Sequence, residues 1–330
     1  MSPLPLTPAP VPARRSAWSR WTALGRFTGL VLVIALFSAL APEAFPTLTN
    51  FRTVATQTVI VAIAAMGATL VIISGGIDLS VGSVVALTTV VAALALQAGQ
   101  PPVLAAALGL ASAGLCGLLN GLIITRLRIV PFIATLGMMS LVRGAAKLLA
   151  KGETVRPPFS WLEDLMSKTP PRPWMLVSPG VWLMILVATA TSIVLARTVF
   201  GRRVVAIGSS EATARLCGIP VERIKTLVYA LAGALAGLGG LMQFSRLTLG
   251  DPTVAVGLEL DVIAAVVIGG GSLSGGEGSV MGTLIGAFIL QFLRNGCNQV
   301  GVDNYVQDMI IGGLIIAAVA LDQARRRLSA

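Results

Sequence analysis

Long apolar runs, broken by short polar or glycine-rich stretches, recur along almost the whole chain. A bilayer-spanning helix needs about 20 predominantly apolar residues. On that measure ten spans are expected, near residues 22–41, 54–74, 79–98, 102–124, 130–150, 176–196, 226–247, 258–270, 279–296 and 305–321. The eighth is short, and Gly269-Gly270-Gly271 closes it. The predicted fold class is therefore an all-α polytopic membrane protein. Residues 1–21 are expected to form a disordered, proline-rich and basic N-terminus, 22–322 the transmembrane domain, and 323–330 a basic tail. The first run resembles a signal peptide, and Ala39-Leu40-Ala41 mimics a cleavage site. It is long enough to span and more spans follow, so it is read as a retained first helix.

Composition agrees with the pattern. The chain is 55% hydrophobic and 12% charged, where soluble domains carry about 25% charge, and its mean hydropathy is +0.87. The net charge of +10 does not point to nucleic acid, because the basic residues flank spans. Arg14, Arg15, Arg20 and Arg26 precede the first span, and Arg126 and Arg128 follow the fourth. Arg202, Arg203, Arg215, Arg223 and Lys225 lie between the sixth and seventh, and Arg325, Arg326 and Arg327 close the chain. With ten spans all four clusters fall on one side, so both termini are expected to be cytoplasmic. The long segment 151–175, with Pro157, Pro158, Pro170, Pro171 and Pro173, then faces out. The chain has no histidine, and Cys116, Cys217 and Cys297 lack metal-ligand spacing, so no metal site is expected.

A faint internal repeat is visible. Shifted by 175 residues, Val81-Gly82 falls on Val256-Gly257 and Asn120-Gly121 on Asn295-Gly296. Spans two to five then land on spans seven to ten without a gap. Equivalent spans lie five apart, an odd number, so the halves would be inverted in the membrane, a recurrent transporter design.

Polar residues inside such a chain carry the candidate chemistry. In 73–83, ISGGIDLSVGS, an aspartate stands between glycines and serines. Two readings of Asp78 are compatible. It can cap the start of span three, where backbone N–H groups lack partners. The broken backbone can also line a path, since irregular backbone at membrane depth is tolerated only inside protein or beside a cavity. Gly75, Gly76, Asp78, Ser80, Gly82 and Ser83, with Glu259 and Asp261 in the first turn of span eight, are the candidate helix-break and path residues. Arg143 and Arg294 are expected to snorkel outward or to take part in the path. Gly233 and Gly237 form a G-x-x-x-G pair suited to close helix packing. The stretch GGGSLSGGEGS, 269–279, lacks the lysine of a phosphate-binding loop and reads as a cytoplasmic turn.

The cytoplasmic loop 197–225 holds a short helix of its own. Ser209 or Ser210 can cap it, Glu211 suits its first turn and Arg215 its end. Gly218 fits the position just past its C-terminus, and Pro220 bars continuation. On capping alone it is either a solvated loop helix or a docking element.

These stretches together resemble the permease subunit of bacterial ATP-binding-cassette sugar importers of the ribose type. The resemblance covers about residues 50–322. Its carriers are GGIDLSVGS (75–83), NGLIITRLRIVPFIATLGMMSLVRG (120–144), GRRVVAIGSSEATARLCGIP (201–220), GDPTVAVGLELDVIAAVVIGGGSLSGGEGS (250–279) and Asn295-Gly296. It implies about ten helices per subunit and a homo- or heterodimer of permeases in the bacterial plasma membrane. It also implies a separate cytoplasmic ATPase and an extracytoplasmic sugar-binding protein. Ser210, Glu211, Ala212, Thr213, Ala214, Arg215, Gly218 and Pro220 resemble the family's ATPase-coupling helix. Thr213 stands where Glu-Ala-Ala would carry its second alanine. Under this resemblance the chain is no enzyme and binds no cofactor, ATP and magnesium belonging to the partner. Beyond lipid and these partners none is expected, and nucleic acid is not one of them. An ion-coupled secondary transporter or channel is the rival reading. An importer of branched-chain amino acids or nucleosides is the alternative within the class.

Overall fold

A computed structural model describes residues 17–167 and 175–329. Residues 1–16 and Pro170, Pro171 and Pro173, for which expectations were stated, lie outside the described residues. Among the described residues the regular structure is twelve α-helices and one 3-10 turn. They are α1 (Ala17–Leu40), α2 (Leu48–Ile73), α3 (Val81–Gln97), α4 (Pro102–Arg126), α5 (Pro131–Leu149), the 3-10 turn Trp161–Met166, α6 (Pro179–Arg197), α7 (Val199–Ser209), α8 (Glu211–Leu216), α9 (Val221–Leu247), α10 (Leu258–Ile268), α11 (Val280–Gln299) and α12 (Asn304–Ser329).

The helix starts follow local chemistry. Proline occupies the first position of α4, α5 and α6, where its missing N–H costs nothing. The side chains of Thr47, Thr198, Ser210 and Ser279 cap α2, α7, α8 and α11. Among the described residues six helices, α2, α4, α5, α6, α9 and α11, are long and apolar enough to cross a membrane. Shorter apolar helical stretches run through 27–40, 81–97 and 304–320. The chain is a multi-pass membrane protein, and each of the ten expected stretches carries a helix.

Several boundaries differ from expectation. Helix α1 begins at Ala17, inside the stretch assigned to a disordered tail, and α12 runs to Ser329, through the expected basic tail. Helix α9 begins at Val221, five residues before the expected span, directly after Pro220. The loop 197–225 holds two helices rather than one, because Thr198 caps α7 by accepting from the Gly201 N–H. The expected single shift of 175 residues, without a gap, does not hold. The ends of α2 and α9 lie 174 residues apart, but the starts of α3 and α10 lie 177 apart.

Helices α2 and α3 are buried almost all round, while α4, α5 and α6 show long exposed apolar faces. Small residues set the close approaches, which in lipid depend on packing rather than on a hydrophobic drive. A Cβ at Gly67 of α2 would lie 2.9 Å from the Ala232 Cα of α9. Gly117 of α4 lies against Tyr229 and Gly233 of α9, and Gly237 against Ala113, so the G-x-x-x-G pair packs on α4. Helix α2 packs on α9; α4 packs on α9 as α11 does on α2; α3 packs on α4 as α10 does on α11; and α3 on α5 as α10 on α12.

The segment 151–167 covers the C-terminal end of α9. Val155 and Gly250 exchange both backbone hydrogen bonds at 2.8 Å. The Met166 N–H donates to Ser245 Oγ, which donates to the Glu163 carbonyl, each at 2.9 Å.

Candidate functional site

The stretch 73–83 folds as a helix end, a turn and a helix start. After α2, Gly75 takes φ +80°, and the N–H groups of Gly75 and Gly76 bond back to Ile72 and Val71. This is the left-handed glycine ending that satisfies the last carbonyls of a helix. Gly76 has no room for a side chain, because a Cβ would fall on the Tyr229 hydroxyl.

Asp78 follows, only 6% exposed. Its Oδ1 accepts from the Ser80 N–H at 2.8 Å and the Ser80 hydroxyl at 2.6 Å. Asn120 of α4 donates to the same Ser80 oxygen at 2.9 Å, and Thr135 of α5 donates to the Ile77 carbonyl at 3.3 Å. Helix α3 starts at Val81, not at Asp78, and the Ser80 side chain makes no cap bond. Asp78 thus closes a turn ahead of the helix rather than capping it, a correction with a local cause: its carboxylate is taken up by Ser80.

The segment after α9 repeats the device. Asp251 Oδ1 accepts from the N–H and the hydroxyl of Thr253, both at 2.7 Å. Arg143 of α5 donates to the carbonyls of Pro252 at 3.0 Å and Val254 at 2.6 Å. It does not snorkel, because two backbone acceptors lie within reach of its guanidinium. Ala255 and Gly257 take positive φ before α10 begins.

The two segments meet. A Cβ at Gly82 would fall on the Ala255 carbonyl oxygen and the Glu259 carboxylate. Glu259 therefore sits in the first turn of α10 and beside that of α3, where the dipole favours an acid. Among the described residues Ser83 Oγ, Asn120 Oδ1 and Glu259 Oε2 are buried without a hydrogen-bond partner. Unsatisfied polar atoms are uncommon in a packed interior and mark a place the fold alone does not require.

Asp261 belongs elsewhere. It pairs with Arg294 of α11 at 2.9 Å, and Arg294 also pairs with Asp308 of α12 at 3.2 Å. Arg294 is thus a partnered residue rather than a snorkelling one. Asp261 lines a cavity of about 600 Å³ among α2, α9, α10, α11 and α12. The candidate path residues therefore divide between the Asp78 turn, the Gly82–Glu259 contact and this cavity. Asn120, Thr135 and Tyr229, absent from the sequence-level set, complete the first.

The third feature is α8. Ser210 accepts from the Thr213 N–H, and Gly218 takes φ +76° just past the helix, both as expected. Arg215 bridges Glu211, at 2.8 Å, and Glu222, while Lys225 holds Glu211 at 2.6 Å. The Lys225 hydrogen bond, with Arg215 adding to it, holds the Glu211 carboxyl below its usual range. Ala214 is buried, whereas Ala212, Thr213 and Arg215 face out and Leu216 is 89% exposed. Pro220 forms the turn into α9.

Helix α8 is tied to the Asp78 turn through glycines. Gly208, near the end of α7, has no space for a Cβ against the Ile73 carbonyl and the Gly276 nitrogen. The Gly276 N–H donates to that same Ile73 oxygen at 2.9 Å. Gly275, at φ +84°, would put a Cβ 3.0 Å from the Gly75 Cα. The end of α2, the end of α7 and the 269–279 turn so converge within three residues of α8 and five of Asp78.

Comparison with known proteins adds to this geometry. The sequence profile described as "Branched-chain amino acid transport system / permease component" matches residues 50–319. The chain is 43% identical over 298 residues to the ribose import permease protein of Escherichia coli K12, covering 90% of this chain and 92% of that one. It is 40% identical over 310 residues to the ribose import permease protein of Bacillus subtilis 168, at 92% and 93% coverage. It is 36% identical over 318 residues to an L-arabinose ABC transporter permease protein of Azospirillum brasilense, at 96% and 92% coverage. No solved structure matches it.

Proposed function

This chain belongs to the family of branched-chain amino acid transport system permease components, and from that premise we propose that it is the membrane permease of an ATP-driven importer of a monosaccharide, ribose or a similar pentose. The observation that carries the sugar is the 43% and 40% identity to two ribose import permeases across nine-tenths of the chain. The family name also covers amino acid import, but these relatives favour the sugar branch, as does the arabinose permease.

In this reading the chain sits in the bacterial inner membrane with ten crossings and both termini cytoplasmic. A second permease subunit, identical or related, pairs with it. A binding protein delivers sugar from outside, and a separate ATPase, with its ATP and magnesium, docks at α8. The exposed face of Ala212, Thr213 and Leu216 supports the docking role: an apolar side chain standing 89% free beside an ion-pair cluster suits a partner groove. Two inverted halves, α2–α5 and α9–α12, fit the packing, since exchanging the halves maps each paired contact onto another.

The mechanism is alternating access by population shift between two states. Nucleotide binding and release displace α8. Helix α7 carries the displacement through Gly208 to the end of α2 and the Asp78 turn. That turn and the 248–257 segment meet at Gly82, so the starts of α3 and α10 move against each other and open or close the path. No bond in the sugar is made or broken.

The test is reconstitution. Vesicles holding this chain with its ATPase, supplied with sugar-loaded binding protein, should import radiolabelled ribose only with ATP. Replacing 211–216 by a glycine linker should abolish both import and ATPase docking. Retained import in that variant would defeat the coupling role of α8. Uptake by the chain alone under an ion gradient would favour the secondary-transporter reading instead.

A further inference from the structure

The cavity beside Asp261 lies at the end of the bundle formed by the start of α2, the end of α9, the end of α11 and the start of α12. This is also the end covered by the 151–167 segment. At about 600 Å³ it falls within the size range of small-molecule sites. Its lining is unusual for a membrane protein. Gln57 and Gln291 pair across it at 2.8 Å, and Asn298 accepts from Gln307 at 2.7 Å. Gln243, only 3% exposed, lines it and has no hydrogen-bond partner among the described residues. Arg246 lines it too, without a carboxylate partner among them.

Polar and charged side chains turned into a cavity of a membrane-spanning bundle are costly to bury and mark a functional site. The charges lining the cavity balance, Arg246 and Arg294 against Asp261 and Asp308, which disfavours an anionic ligand. Planar amides with a guanidinium and carboxylates suit a neutral ligand bearing several hydroxyls, each of which donates and accepts.

We infer that this cavity is a sugar-binding station within the protomer. Gln243 and Arg246 are the groups left free to bond the hydroxyls of the passing monosaccharide, and Gln57, Gln291, Asp261 and Arg294 shape the walls around them. The inference rests on the import reading and adds the residues that hold the sugar inside the membrane.

The reconstituted complex tests it. Gln243→Leu and Arg246→Leu keep bulk and strand no partner, so either can be read if the other misfolds. Pentose imported per ATP hydrolysed should fall about tenfold, as for loss of a charged or buried hydrogen bond, in chains that still co-purify with the ATPase. An unchanged ratio in both variants, with normal import by the unsubstituted complex, would overturn this inference alone. No import by the unsubstituted complex would overturn the import reading and this inference together. A loss restored by adding anionic lipid would assign the cavity to a headgroup and overturn the sugar station.

Discussion

Gly208→Ala is the sharpest probe of the route from α8 to the membrane interior. One methyl group would have to enter where the Ile73 carbonyl, the Ile73 carbonyl carbon and the Gly276 nitrogen already lie, the last two at 2.9 and 2.6 Å. These are backbone atoms, so no side chain can swing aside. Overpacking of this kind costs about 1–3 kcal/mol. Pushing Gly276 away also breaks its 2.9 Å bond to Ile73, a further loss of about 1 kcal/mol. Alanine recovers about 1 kcal/mol of helix propensity within α7. The net is about 1–3 kcal/mol, a shift of about 5- to 150-fold in a two-state equilibrium. The assay is sugar imported per ATP hydrolysed in vesicles, read beside the thermal midpoint of the purified complex. Gly137→Ala in α5 is the control, because its Cβ meets nothing within 4 Å. The Gly208 variant should hydrolyse ATP with poor import and a lowered midpoint, while the control behaves as the parent. A Gly208→Ala complex with the parent's import ratio and midpoint would refute the glycine junction as the coupling route.

Asp78→Ala should lower transport while the ATPase still docks, because the buried Ser80 N–H and hydroxyl lose their acceptor at about 1–3 kcal/mol. Asp78→Asn keeps an Oδ1 acceptor and should retain most uptake; equal loss in both would show that the charge matters, not the turn. Arg143→Leu strands the Pro252 and Val254 carbonyls and should lower the thermal midpoint and uptake, with Arg143→Lys recovering part of each. Docking through Glu211 should be insensitive to pH near neutrality. Its carboxyl is held low by Lys225, so its contribution is present above the unfolded carboxylate value of about 4.3 and is lost only as pH falls through the lower folded one. Co-purification of the ATPase across a pH series checks this, and loss on raising the pH through neutrality would contradict it.

What was legible in the sequence is what neighbouring residues decide. Helix α8 could be read because Ser210, Glu211, Gly218 and Pro220 act within one turn of their own positions. The apolar helices could be read because each is announced by an apolar run in its own segment. Helix α7 was missed, although Thr198 stands at its cap, because a basic loop between spans gives no apolar run to frame it. Contacts across the chain were illegible for the opposite reason. Asp78 was visible as a polar break, but Asn120 reaches its turn from 40 residues away, and Tyr229 from 152. Arg294 is the one charge in α11 and Arg143 shares α5 only with Lys147, which favours snorkelling on sequence grounds; their acceptors come from other helices and loops. The cavity amides fail likewise. Gln57 and Gln243 fall one to a helix; α11 carries a spaced set, Gln291, Arg294 and Asn298 on one face, and nothing in that set names its partners on α2, α9 and α12.

The two Asp-turn segments are built alike but anchored differently, and the difference bears on how import would be gated. The first, 74–80, is held at the α7 side by Gly208 and Gly275 and inside by Asn120 and Thr135. The second, 248–257, is three residues longer. Its extra length lets Gly250 pair with Val155 of the covering segment and lets Arg143 grip two carbonyls. One turn is thus fastened to the face that carries α8, the other to the face that carries 151–167. They meet where Gly82 at the start of α3 lies against Ala255 and Glu259. A displacement passed between the two turns meets this contact, which leaves no space for a methyl group and holds an unpaired carboxylate oxygen. A close-packed contact of backbone atoms has few intermediate arrangements. It therefore favours two discrete states over continuous bending, as alternating access between a docked binding protein and a docked ATPase requires.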